Sequence, residues 1–207
     1  MPANPYIRQV VRRLPRLMLG LTLFGFGVAL TVRSELGLAP WEALHQGISL
    51  HTPLSIGVAG ILTGFIVLLA WIPLRQRLGV GTISNVIVVG LTIDATLWLI
   101  DDVTSAAVRW LLMFAGIAIV GLGSGIYIGS RLGPGPRDGL MTGLAQRGLS
   151  IRFARFLIEG VVLAGGWLLG GTVGIGTLAF ALLIGPFVQF FLERLDRGEI
   201  TVEAAEV

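Results

Sequence analysis

Residues 131–143 read RLGPGPRDGLMTG, and residues 35–47 read ELGLAPWEALHQG. Superposed at an offset of 96, the two stretches share Leu36-Gly37 with Leu132-Gly133, Pro40 with Pro136, Leu44 with Leu140 and Gly47 with Gly143, and Glu42 falls on Asp138. The match extends in both directions. Upstream, Gly20, Gly25 and Gly27 fall on Gly116, Gly121 and Gly123. Downstream, after a one-residue deletion, Leu54-Ser55-Ile56 falls on Leu149-Ser150-Ile151, Gly79-Val80-Gly81-Thr82 on Gly174-Ile175-Gly176-Thr177, and Gly90 on Gly185. Thirty glycines would produce scattered coincidences, but not this order with a single gap. The chain is one unit written twice.

The surroundings of the two stretches identify the solvent. At 54% hydrophobic and 13% charged residues, with a mean hydropathy of +0.86, 207 residues cannot hide their apolar surface in a water-soluble core. About 20 apolar residues cross a hydrocarbon layer of about 30 Å, and six runs approach that length. They are about Leu14 to Val32, Ser55 to Pro73, Gly81 to Ile100, Ala106 to Ile128, Phe153 to Gly171, and Val173 to Leu192. Arg8, Arg12, Arg13 and Arg16 precede the first run, but no small-x-small cleavage site follows it, so it reads as a retained helix and not a signal peptide.

Three spans per copy is an odd number. The second copy must therefore enter the membrane from the opposite side, as an inverted-topology repeat. The cations agree. All fifteen are arginine, and a cytoplasmic N-terminus puts Arg8, Arg12, Arg13, Arg16, Arg75, Arg77, Arg131, Arg137, Arg147, Arg152, Arg155, Arg194 and Arg197 inside, leaving Arg33 and Arg109 outside. The fold class expected is an all-α membrane protein with six transmembrane helices as a 3+3 inverted repeat. It forms one domain over 1–207, with repeat 1 at about 14–102, repeat 2 at about 106–194 and a charged tail at 195–207.

Within each copy, proline at the first helical position followed by an acid two residues on is a helix start, because proline forgoes an orphan N–H and the acid meets the positive helix end. Pro40-Trp41-Glu42 and Pro136-Arg137-Asp138 each open a short helix, about Pro40 to Leu50 and Pro136 to Arg147. Neither is long enough to span. Each lies in the interface or dips into the membrane as a half-helix. Trp41 and Arg137 read as interface residues, and Arg137 with Asp138 marks the cytoplasmic mouth. No G-x-x-x-x-G-K-[ST] loop is present to bind nucleotide. The glycine row Gly121, Gly125, Gly129 permits close helix packing or a homodimer contact.

Ionisable groups at membrane depth carry a functional hypothesis by default. Asp94 is the strongest, with Asn85 deeper on the same helix and Gln189 at the repeat-equivalent position. Together they are candidates for a proton or substrate site. Arg155 and Glu159, one helical turn apart, form either a structural ion pair or a cytoplasmic gate. Pro186 is expected to break or kink the sixth span. His45 and His51 fall in the outer connector, where a lone histidine is usually solvated. The absence of cysteine excludes disulfides and thiol chemistry, and no metal-ligand spacing, Ser-His arrangement or paired aspartate supports an enzyme or a cofactor.

The run Leu132-Gly133-x-Gly135-Pro136-Arg137-Asp138-Gly139-Leu140-Met141, with Arg155-x-x-x-Glu159-Gly160, Gly170-Gly171-x-x-Gly174-x-Gly176-Thr177 and Gly185-Pro186, resembles the YczE branch of the YitT/YczE group of bacterial integral membrane proteins. Leu36-Gly37-x-x-Pro40-Trp41 and Gly79-x-Gly81-Thr82-x-x-Asn85 fit the same pattern, and the resemblance covers about Gly20 to Leu192. It implies a link to export or to secondary metabolism and supplies no established catalytic residues. The expected function is a small secondary transporter, an exporter of a small molecule, in the bacterial inner membrane with both termini cytoplasmic. A channel or an accessory membrane protein are the alternatives. The bilayer, a small-molecule substrate and a second copy are the expected partners, and nucleic acid is not.

Overall fold

A computed structural model describes residues 5–196. It contains eight helices in the order long, short, long, long, and again long, short, long, long: α1 (Pro5–Ser34), α2 (Pro40–His51), α3 (Ile56–Leu74), α4 (Val80–Leu99), α5 (Ala106–Ile128), α6 (Pro136–Ala145), α7 (Ile151–Leu168) and α8 (Ile175–Leu195). No strand occurs among the described residues. The expected short helices are present and begin at Pro40 and Pro136. Arg197 and the rest of the charged tail from 197 onward lie outside the described residues.

Among the described residues five helices are long and apolar enough to cross a membrane: Ile7–Ser34, Ile56–Leu74, Val80–Leu99, Ala106–Ile128 and Ile175–Leu195. The fifth of the six expected spans is different. α7 has 18 residues and carries Arg152, Arg155 and Glu159 in its first three turns, which leaves only its second half freely apolar. α1 begins at Pro5, well before Leu14, because the arginine-rich segment continues the helix as a polar extension. α8 is assigned as one helix through Pro186.

α1 and α5 form the central crossing, with little separation because their glycines lie against opposing backbone. Gly20 faces Gly123 and Tyr127, and Gly27 faces Gly116 and Val120. α4 then packs on α1, where Gly25 meets Val89 and Thr92. α8 packs on α5, where Gly121 and Gly125 meet Phe187 and Phe191. The row Gly121, Gly125, Gly129 is thus covered within the chain, where close backbone approach supplies the van der Waals contact that lipid cannot. α2 lies against α3 and α7, and so does α6.

After α1 and after α5 the chain makes the same turn. Glu35 (φ 53°) and Gly37 (φ 123°) recur as Arg131 (φ 56°) and Gly133 (φ 129°). The glycines are required here, because a side chain at that φ is strained and its Cβ would strike Gly174 N or Thr82 Oγ1. Each turn is tied to a distant helix start. Leu36 O accepts from Gly176 N at 2.8 Å, and Leu132 O accepts from Gly81 N at 2.9 Å. Thr82 Oγ1 donates to Pro134 O at 2.8 Å.

One pairing is not reproduced. α3 and α4 pack face to face, Gly57 against Gly90 and Gly64 against Val86, whereas α7 and α8 scarcely touch. Gly160 and Gly185 have nothing within 4 Å of where a side chain would begin. Trp98, Phe156, Leu168 and Leu182, all at least 75% exposed, are among the apolar side chains on the outer surface. That distribution suits a lipid solvent.

Candidate functional site

The beginnings of the two short helices meet in the interior. Arg137, the second residue of α6, reaches Glu42, the third residue of α2, with Nη2 to Oε1 at 2.8 Å. The Glu42 side chain is 4% exposed and that of Arg137 32%. The guanidinium also lies over the Trp41 ring, 4.9 Å from its centroid. A cation stacked on an indole and paired with a buried carboxylate is held in both direction and distance. α6 is fixed from behind by Trp71 Nε1, which donates to Pro136 O at 3.0 Å, while Gly139 lets the indole lie flat on the helix.

His45 lies one turn along α2 from Trp41 and Glu42, and is 3% exposed. Neither of its ring nitrogens has a hydrogen-bond partner, nor does Trp41 Nε1 or Glu42 Oε2. Gly60 on α3 makes room for the ring, since a Cβ there would lie 3.2 Å from His45 Nδ1. Between these groups is a cavity of about 50 Å³. Its polar lining is Trp41, His45, Asn85 and Arg137, and its apolar lining includes Val67, Val86, Val89 and Ile93.

The electrostatics follow from burial and one cation. Burial pushes the Glu42 carboxyl up, but Arg137 and, to a lesser extent, His45 outweigh it and hold the group below the usual carboxylate range. Burial, reinforced by Arg137 and opposed by Glu42, lowers the His45 imidazole to about 4. Asp138 is raised, chiefly by burial, although Arg137 and the Gly135 N–H work against the shift. Its Oδ2 receives Tyr127 OH at 3.4 Å.

The residues singled out in the sequence therefore divide. Asn85, Trp41, Glu42 and Arg137 come together, with Pro40 and Pro136 starting the helices that present them and Asp138 behind. Asp94 lies elsewhere, at the first turn of α3, where Ser55 Oγ donates to one carboxylate oxygen and Gly57 N to the other at 2.8 Å. Gln189 is exposed on α8 and donates to Glu193 at 2.8 Å, so it does not join Asp94. Arg155 and Glu159 pair at 2.9 Å as their spacing predicts.

Two readings are corrected. His45 is not a solvated connector residue, and Trp41 and Arg137 are not ordinary interface residues, because α2 and α6 turn inward and bury their starts. The signal for this was available: Trp41, Glu42 and His45 share one face of a helix whose repeat counterparts at Asp138 and Met141 are also polar or large. His51 remains at the exposed end of α2, with Nδ1 at 3.0 Å from Gly47 O. Among the described residues no three His, Asp or Glu side chains gather as a metal site.

Comparison with known proteins places this architecture. The profile of the family described as "Family of unknown function (DUF6198)" matches residues 11–193. An uncharacterized protein of Haemophilus influenzae is 43% identical over 87% of this chain and 84% of its own length. Two Bacillus subtilis proteins are each 29% identical. "Uncharacterized membrane protein YczE" matches over 84% of this chain and 83% of its own, and "Uncharacterized protein YyaS" over 86% and 92%. No solved structure matches. The chain belongs to the DUF6198 family and to the YczE-like group of multi-pass membrane proteins.

Proposed function

We propose that this DUF6198 membrane protein is a small secondary transporter, an exporter of a small molecule, built from two oppositely oriented three-span units. The observation that carries the reading is the Glu42–Arg137 pair: the first turns of two short helices, one from each half, joined beside a cavity in the interior. Transporter sites of this kind lie at the interface between repeats, where half-helix ends meet the substrate. In this reading α7 is the sixth span and its arginines remain at the cytoplasmic surface. Both termini are then cytoplasmic and the membrane is the bacterial inner membrane.

Alternating access has a natural basis in the unequal helix pairs. At the outer end α3 and α4 are clamped by Asp94 on Ser55 and Gly57, while the corresponding α7 and α8 stand apart on the cytoplasmic side. The form described is read as open inward, with Arg155 and Glu159 at its rim. A homodimer, if formed, would use faces other than the glycine rows, which are covered within the chain.

Proteoliposome flux tests the proposal. Radiolabelled small organic acids and amines should cross faster than in protein-free vesicles and accumulate against a gradient when a proton gradient is imposed. Flux that only equilibrates identifies a channel, and rates equal to empty liposomes assign an accessory role; either outcome overturns transport by coupling.

A further inference from the structure

Buried polar groups in native proteins nearly always have partners, so those that have none call for an explanation. In this molecule they cluster. His45 Nδ1, His45 Nε2 and Trp41 Nε1 lie together at one cavity. The polar inventory there is rich in donors: an indole N–H, an imidazole, the Asn85 amide and the Arg137 guanidinium. The nearby carboxylate, Glu42, holds Arg137 through Oε1, while its Oε2 has no partner in the protein and can accept from a protonated His45. The indole and the guanidinium can only donate, a protonated imidazole donates from both nitrogens, and a carboxylate offers these donors about four lone-pair sites in one plane.

Size and lining narrow the class. One water takes roughly 10–15 Å³ counted in the same way, so about 50 Å³ accommodates about four or five non-hydrogen atoms. Val67, Val86 and Ile93 complete the lining with surface suited to a short alkyl chain. Charge adds a condition. Arg137 and Glu42 already sum to zero, so an incoming anion would leave one uncompensated buried charge, a state proteins avoid. His45 can remove it by taking a proton from solution.

We propose that the cavity binds a short-chain carboxylate, of acetate to propionate size, together with one proton carried on His45. This deepens the transport reading and rests on it for direction and coupling, but the binding itself does not depend on flux. The groups facing His45 are few: Glu42 on its own helix, Arg137 from α6 and the neutral Asn85 from α4. α3 contributes only Gly60, Gly64 and Val67, none of which titrates. The proton is therefore assigned to the imidazole, since Glu42 is held in its ionised form by Arg137.

The test is propionate binding to the purified full chain in nanodiscs by isothermal titration calorimetry, between pH 5.5 and 7.5. Uptake of one proton per anion predicts affinity rising about tenfold per unit fall in pH. His45→Gln should flatten that slope and weaken binding at least about tenfold at pH 5.5. Gly60→Ala, which narrows the cavity beside His45 without changing charge, should weaken binding and keep the slope. No saturable binding, a slope that survives His45→Gln, or chloride binding as tightly as propionate would each overturn the proposal. Saturable binding without proteoliposome flux retains the site and removes the transport reading. Flux indifferent to both variants does the reverse.

Discussion

Leucine at position 42 removes the acceptor from Arg137 and leaves the guanidinium at the interior end of α6 with only the Trp41 face. Breaking a fully buried ion pair by deleting one partner costs about 3–5 kcal/mol. The Arg137 side chain is 32% exposed, so some water reaches it and the cost falls to roughly 2–3 kcal/mol. For a domain of this length each kcal/mol moves the midpoint by about 2–4 °C, so Glu42→Leu should lower the Tm in detergent by about 4–12 °C. Removing both charges is different. A paired deletion leaves no uncompensated charge and loses only the cation–π contact, about 0.5–2 kcal/mol. The Glu42→Leu/Arg137→Leu double variant should therefore lie above Glu42→Leu alone. Intrinsic tryptophan fluorescence during a thermal ramp, with size-exclusion chromatography as a check on monodispersity, measures Glu42→Leu, Arg137→Leu and the double variant. A single variant within about 1 °C of the parent, or a double variant whose loss equals the sum of the singles, would refute the placement of this pair in the interior.

The other predictions address separate parts of the structure. With its imidazole lowered from 6.5 to about 4, His45 binds fewer protons folded than unfolded between those values, so stability is complete above pH 6.5 and declines as pH falls toward 4, by up to about 3 kcal/mol; His45→Gln should flatten this limb in pH-dependent melting curves, and an unchanged limb would exclude His45 as its source. Asp94→Ala should cost about 1–3 kcal/mol by leaving Gly57 N without its acceptor in the first turn of α3, whereas Asp94→Asn keeps an acceptor for Gly57 N and should retain both fold and transport; abolished proton coupling in Asp94→Asn would give Asp94 a transport role. Because the chain has no cysteine, Ser55→Cys/Asp94→Cys and Ser150→Cys/Gln189→Cys can be compared on an otherwise thiol-free background. The first pair should cross-link at once in the resting protein and the second only when substrate drives α7 toward α8; equal rates would remove the proposed cytoplasmic opening. Alkaline phosphatase and green fluorescent protein fusions after Gly148 and at the C-terminus should both report cytoplasm if α7 crosses, and opposite sides if it does not.

What could be read from the sequence was whatever the repeat states locally. Proline followed by an acid fixes where a helix begins, and a shared Leu-Gly fixes the turn before it, so α2 and α6 begin where the two quoted stretches place them. Closely spaced glycines within a span likewise predict close helix contacts. The partnership of Arg137 with Glu42 was not legible, because the alignment equates Arg137 with Trp41 and Asp138 with Glu42, and the bond joins positions that are not equivalent. Only the inward turn of both short helices brings them together. His45 was misread for the same reason: its neighbours in sequence are those of a connector, and it is buried because α2 packs on α3 and α7, far away in sequence. Asp94 reads in the sequence as a costly group at depth, but residue type alone does not separate a carboxylate that caps a neighbouring helix from one that moves a proton.

The difference between the halves is the last step. A perfect repeat would close both ends equally and offer no path, so any transporter of this form must break its own symmetry. The break coincides with the charges. On α3 the positions Gly57, Gly60 and Gly64 let α4 approach and make room for His45. Their counterparts on α7 are Arg152, Arg155 and Glu159, long polar side chains where α3 has none. The residues that interrupt the apolar run of α7 thus stand where α3 offers glycine to α4. Replacing Arg155 and Glu159 together with glycine restores two of the three first-half glycines. That variant should draw α7 onto α8, raise the Ser150→Cys/Gln189→Cys cross-linking rate without substrate, and slow flux. A rate unchanged from the parent would show that the separation of α7 and α8 has another cause.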